Sequence, residues 1–284
     1  MGQEVVIIGA PRSGTNLLRD VLTKLPGVGT WPCDEINYIW RHGNVRYPSD
    51  EFVPSMATAK VCHYIRKQFA KIADREAVQT IVEKTCANSL RVGFVDRVLP
   101  EAKFVFIRRN GLDAVASAQH RWSASLDPVY IWNKARFVPL GDLPYYAFQY
   151  MGNRLYRLLS GKKRLASWGP KLKNMDELLE KYSLIEVCGL QWERCVNSAA
   201  AAFAAMPESK VIDVTYERFV SAPVEETARL AGFLGLSQNE AVLRDATAEV
   251  TDRSVGRGRR LLTGGEVVRL EKCIGGTLDR YGYL

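Results

Sequence analysis

The run Pro11-Arg12-Ser13-Gly14-Thr15-Asn16 is built to grip an anion. Backbone N–H groups at the start of a helix converge on a phosphate, and a glycine lets it approach closely. Arg12 adds a permanent charge able to hold two oxygens, and Ser13 and Thr15 add hydroxyl donors. Gly9 and Gly14 have the spacing of a P-loop, but Thr15-Asn16 stands where lysine and a magnesium-binding hydroxyl belong. A kinase or NTPase with an atypical phosphate loop is therefore the alternative reading, and it lacks its main charge-neutralising parts. A glycine turn without a ligand is the plainer alternative.

A second anion-binding set follows an apolar run at residues 103–107. Arg109 arrives at its carboxyl end, where open α/β sheets bind ligands. Ser117, two turns into the next helix, returns toward the same place, and an arginine with a hydroxyl suits a dianionic phosphate. Against this stands a solvated ion-pair cluster of Arg108, Arg109 and Asp113. Asp34 and Glu35, on their own, read as acids solvated in a loop. Lys84, on its own, reads as a charged residue at a strand end.

The elements that must position these groups alternate. Short apolar runs at 4–8, 80–83, 103–107 and 210–214 read as buried strands. Helical spacing follows at Leu17, Leu18, Val21, Leu22 and Leu25, and again at Leu112, Val115 and Ala116. An Ala-rich helix covers 191–206, Pro223 with Glu225 and Glu226 opens another, and Thr263-Gly-Gly-Glu266 caps the last. The fold class is α/β, a mostly parallel sheet with helices on both faces, of P-loop nucleotide-binding type. Residues 122–182 break the rhythm and read as an insertion in a single domain spanning 1–284.

Taken together, the two anion motifs resemble those of sulfotransferases that use 3′-phosphoadenosine 5′-phosphosulfate (PAPS). Pro11-Arg12-Ser13-Gly14-Thr15 is similar to that family's 5′-phosphosulfate loop, and Arg109-Asn110 through Asp113 to Ser117 to its 3′-phosphate motif. The resemblance implies PAPS as co-substrate, adenosine 3′,5′-bisphosphate (PAP) as product and no required metal. It places Arg12 and the backbone of Gly14 to Asn16 on the 5′-phosphosulfate and Arg109 with Ser117 on the 3′-phosphate. Val214-Thr215-Tyr216-Glu217 resembles the segment whose tyrosine lies against adenine, although Arg218 replaces its usual aspartate; a core aromatic is the other reading of Tyr216. Gly256-Arg257-Gly258 resembles the late loop that closes over the nucleotide, or is a basic surface turn.

Pro32-Cys33-Asp34-Glu35 resembles the acidic segment of the tyrosylprotein and carbohydrate types, to which the chain looks closer than to the cytosolic small-molecule type. That implies Glu35 as general base, with Asp34 its close competitor, and Lys84 near the sulfuryl group. Cytosolic members use a histidine instead, a motif that His63 does not match. The implied acceptor is a hydroxyl on a carbohydrate or other small molecule.

The 284 residues are 47% hydrophobic and 25% charged, a globular composition. No apolar run is long enough to span a bilayer, and the start of the chain does not read as a signal peptide. A cytoplasmic enzyme is expected. The six cysteines form no CxxC pair and histidine is scarce, so neither a zinc site nor a disulfide framework is expected. The +8 charge favours an anionic partner, but without interleaved basic and aromatic residues on one element it does not point to nucleic acid.

Overall fold

The computed structural model describes residues 2–122, 138–146 and 168–284. The apolar runs are strands: β1 Gln3–Ile8, β3 Thr80–Lys84, β4 Lys103–Arg108 and β5 Val211–Thr215. A fifth, β2 at Val28–Thr30, is not anticipated from the sequence, because three residues interrupted by a glycine carry no pattern. All pair in parallel in the order β2-β3-β1-β4-β5.

Both faces of this sheet are covered, which is why its strands read as unbroken apolar runs. Val5 and Ile7 of β1 and Val105 and Ile107 of β4 face one core, where α1 Thr15–Leu22 packs through Leu18, Val21 and Leu22. Helices α8 Tyr216–Ser221, α9 Pro223–Leu234 and α10 Glu240–Thr247 complete that layer. Val6 and Ile8, with Phe104 and Phe106, face the larger core. It is closed by α2 Asn37–Trp40, α3 Ala59–Glu76, α4 Val92–Val98, α5 Gly111–Trp122, α7 Leu184–Phe203 and α12 Gly264–Arg280. Each large apolar side chain so buried contributes about 1.5–3 kcal/mol.

Local signals set the helix ends. Glu186 accepts from the Ser183 N–H at 3.0 Å and starts α7 seven residues earlier than the Ala-rich stretch suggests. The expected Thr263–Glu266 capping box is formed on α12. Most of the expected 122–182 insertion lies outside the described residues. Within it are a 3-10 turn at Leu140–Asp142 and helix α6 Met175–Lys181. Just before α6, Gln191 donates to the carbonyls of Trp168 and Pro170 at 3.0 and 2.7 Å. Asp50 and Lys171 exchange two further bonds, Asp50 N–H to the Lys171 carbonyl at 2.7 Å and Lys171 N–H to the Asp50 carboxylate at 2.8 Å.

Candidate active site

Four neighbouring strands deliver their carboxyl ends to one edge of the sheet, and each end carries a residue singled out above. β1 runs into the Arg12 loop, β3 ends at Lys84, β4 delivers Arg109, and Tyr216 follows β5. Parallel strands in this order place a crevice beside β1, where the connections diverge to either side.

The loop after β1 is tightly shaped. Arg12 takes φ 67° and Gly14 φ 90°, both left-handed, so the turn holds a non-glycine residue in a costly conformation. A Cβ on Gly14 would lie 2.9 Å from Tyr216 Cε2 and closer still to Cδ2, so only glycine admits the tyrosine ring here. Helix α1 begins immediately, with Gly14 as its N-cap, and its first N–H groups have no intrahelical partner. Pro11 is buried, and Ser13 is 0% exposed with an Oγ that no group among the described residues bonds. Thr15 Oγ1 lies 3.8 Å from Cys86 Sγ.

The two anion motifs meet. Arg12 Nε donates to Ser117 Oγ at 2.8 Å across 105 residues of sequence. Arg109 donates from one terminal nitrogen to the Arg12 carbonyl at 3.1 Å and from the other to the Ser254 carbonyl at 2.6 Å. Its guanidinium stacks over the Tyr216 ring at 4.2 Å, and Trp192 holds its backbone carbonyl at 3.2 Å. Arg109 is 6% exposed, yet among the described residues its Nε has no partner. Buried donors left unbonded are costly and fit a site shaped for an anionic ligand.

The neighbouring Arg108 belongs to another cluster, pairing with Asp213 and stacking on Tyr281 at 4.4 Å. Asp113 is not a solvated charge. It is 3% exposed and accepts from the N–H groups of Gly256 at 2.8 Å and Gly258 at 2.5 Å. That pins the late loop at the start of α11 Arg257–Leu261 against α5. A Cβ at Gly258 would come within 2.6 Å of the Asp113 backbone nitrogen. Arg257 itself is exposed.

On the other side of β1 sits an acidic group. Asp34 Oδ1 accepts from Asn16 Nδ2 at 2.8 Å, Arg19 at 3.1 Å and Lys84 Nζ at 3.2 Å. Asn16 thus joins the phosphate loop to the acidic segment. Glu35 Oε1 accepts from Lys84 Nζ at 3.2 Å and the Cys86 N–H at 3.3 Å. Lys84 is 4% exposed; burial pulls its ammonium down, but Glu35 and Asp34 outweigh this and hold it above its ordinary range. Trp31, Glu83 and Lys84 line a narrow cleft with both acids. His63 is exposed on α3, on a surface of the fold apart from this cleft's lining.

Sequence reasoning missed Arg19, Cys86 and the docking role of Asp113. Arg19 was findable from its spacing alone, since it lies one helical turn beyond Asn16 on the same face of the expected helix. Among the described residues no helix is long and apolar enough to cross a membrane, and no group of three or more His, Cys, Asp or Glu is placed to hold a metal.

Comparison with solved structures finds the same architecture. The sulfotransferase domain from the curacin biosynthetic pathway superposes with a TM-score of 0.56 at 12% identity, covering 97% of this chain and 98% of that one. The sulfotransferase domain from the Synechococcus PCC 7002 olefin synthase gives 0.53 at 14%, covering 96% and 95%. A mouse sulfotransferase, SULT7A1, complexed with PAP gives 0.52 at 14%, covering 97% and 84%. At such identities these likenesses concern the fold. A sequence search of curated proteins finds no significant match. Family membership rests instead on the sequence model described as "Sulfotransferase family", which matches residues 4–160 and 153–240 and so contains both anion motifs, the acidic segment and Tyr216. The chain is a member of the sulfotransferase family.

Proposed function

We propose that this chain transfers a sulfuryl group from PAPS to a hydroxyl of a carbohydrate or other small molecule by in-line displacement. The observation that carries the reading is the 2.8 Å bond from Arg12 to Ser117, which makes one site of two motifs. PAPS would supply the activated sulfuryl group. The unbonded Ser13 Oγ and Arg109 Nε support an anion at each end of that site.

In this reading Arg12, Ser13 and the backbone of Gly14, Thr15 and Asn16 hold the 5′-phosphosulfate. Arg12 neutralises charge on the leaving phosphate without transferring a proton. Arg109 and Ser117 hold the 3′-phosphate, Tyr216 lies against the adenine, and the Arg257-Gly258 loop closes over the nucleotide. Glu35 takes the acceptor proton. Asp34 is the less available of the two acids because one of its oxygens already serves three donors. Lys84 faces the sulfuryl group from beside Glu35. No metal is needed in this scheme. All six cysteines are free, which suits a reducing compartment, the cytoplasm in our reading.

The test is calorimetric titration with PAP, 5′-AMP and ATP-magnesium on the wild type and Arg109→Ala. PAP should bind at least about tenfold more tightly than 5′-AMP, and the variant should lose that margin, as expected for a charge-assisted phosphate contact. Indifference to the 3′-phosphate, or preference for ATP-magnesium, would sink the reading and favour a kinase.

A further inference from the structure

The acidic segment is held by a buried polar network that the proposed chemistry leaves unused. Glu83, the penultimate residue of β3, is 1% exposed. Its Oε1 accepts from the Thr85 hydroxyl, and its Oε2 accepts from Asn88 Nδ2 at 3.0 Å. Thr85, fully buried, in turn accepts the N–H of Ile36 at 3.2 Å. Ile36 directly follows Glu35. The same network grips the next residue as well: Asn88 Oδ1 accepts from Arg91 Nε at 2.9 Å, and Arg91 donates to Asn37 Oδ1 at 2.6 Å. The two residues that follow the acid pair are therefore fastened by side chains that touch neither anion motif.

We propose that Glu83 is a positioning residue for the sulfotransfer reaction, holding Glu35 on its proton path through Thr85 and the Ile36 N–H. The inference rests on the reading of Glu35 as general base. An ionised Glu83 accepts from both Thr85 and Asn88 through charge-assisted bonds; once protonated it still accepts from Asn88, but its O–H donates to the Thr85 hydroxyl, so that bond reverses and the charge that tightened the pair is lost. The charged groups facing it are Lys84 on its own strand, Glu35 on the loop before α2 and Arg91 at the head of α4, with Trp40 of α2 as a polar neighbour. Burial, opposed by the Thr85 bond, pushes the carboxyl up to about 7. Glu35 adds to the rise, and Lys84 works against it. The clasp thus loosens within the physiological range, on the acid side.

Two measurements on the full chain separate this inference from the reading beneath it. The first needs no turnover: amide hydrogen exchange over residues 31–37 in wild type, Glu83→Gln, Thr85→Val and Thr85→Ser. Glu83→Gln and Thr85→Val should speed exchange at Ile36 about tenfold, the equivalent of one lost hydrogen bond, and Thr85→Ser should restore protection. PAP affinity should stay within about twofold in all of them, because additivity holds for residues that share no partner. The second is the pH profile of PAP release from PAPS with water as acceptor. Wild type should lose about tenfold in rate per pH unit below the Glu83 transition, and Glu83→Gln should lose that limb. Unchanged exchange at Ile36, loss of PAP binding in Glu83→Gln, or survival in that variant of the limb that begins at about 7 would each overturn the proposal, whereas a lower limb belonging to Glu35 itself should remain. Exchange that responds as expected in a protein indifferent to PAP would keep the clasp and discard the sulfotransfer assignment instead.

Discussion

The most demanding test of the site geometry is Gly14→Ala. At φ 90° an alanine occupies a conformation that L residues avoid, costing about 1–2 kcal/mol. Its Cβ would also enter the edge of the Tyr216 ring, approaching Cε2 to 2.9 Å, with Ile107 Cδ1 at 3.4 Å behind it. Tyr216 cannot simply retreat, since it is 5% exposed and stacked on Arg109. Overpacking of this kind adds about 1–3 kcal/mol, giving a total of about 3 kcal/mol. The two contributions separate in a double-mutant cycle with Tyr216→Ala, read by urea unfolding. Removing the ring abolishes the collision but not the backbone cost. Gly14→Ala should therefore cost only about 1–2 kcal/mol in the Tyr216→Ala background, a coupling of about 1–3 kcal/mol. A coupling of zero would refute the packing of the ring on the loop, and a neutral Gly14→Ala would refute the turn itself.

Other expectations follow from single contacts. Asp113→Asn keeps one acceptor oxygen for two backbone N–H groups and should destabilise by about 1–3 kcal/mol. Trypsin should then cut faster at the exposed Arg253 and Arg257. Lys84→Met removes the ammonium shared by the partly exposed Asp34 and Glu35 and should cost about 2 kcal/mol, less than a fully buried broken pair, in urea unfolding at neutral pH. Glu83 gives a stability slope of definite sign. Its folded carboxyl keeps a proton up to about pH 7, whereas the unfolded one releases it near 4.5. Between those values the folded state binds more protons, so stability should fall as pH rises, by up to about 3 kcal/mol in all. Glu83→Gln should remove that slope in denaturant titrations at pH 5 and 8.

Much of the site was legible because its residues sit where local pattern and chemistry coincide. The Arg12 loop and Arg109 each end an apolar run, and strand ends are where an α/β sheet presents ligand groups. What the sequence leaves open is the meaning of individual charges. Arg108 and Arg109 are adjacent and chemically identical, and only the pleat sends one to Asp213 and the other under the Ser254 loop. Asp113 reads as solvated until the late loop, some 140 residues on, is folded over it. The Glu83–Thr85–Asn88–Arg91 network is illegible for the same reason: polar residues become buried through tertiary packing, and nothing periodic marks them. Conversely, the early start of α7 was available locally, since Ser183 and Glu186 have capping-box spacing.

The central place of β1 also bears on how the chain is made. Its neighbours are residues 80–84 on one side and 103–106 on the other. None of its hydrogen-bonded partners lies within its own first 70 residues of following sequence. During synthesis this strand must therefore wait, extended and apolar, until β3, more than 70 residues further along the chain, has left the ribosome. Parallel pairing over such separations is slow to form, and exposed apolar strands are sticky while they wait. The strand that carries the Arg12 loop is thus also the segment most in need of protection before folding.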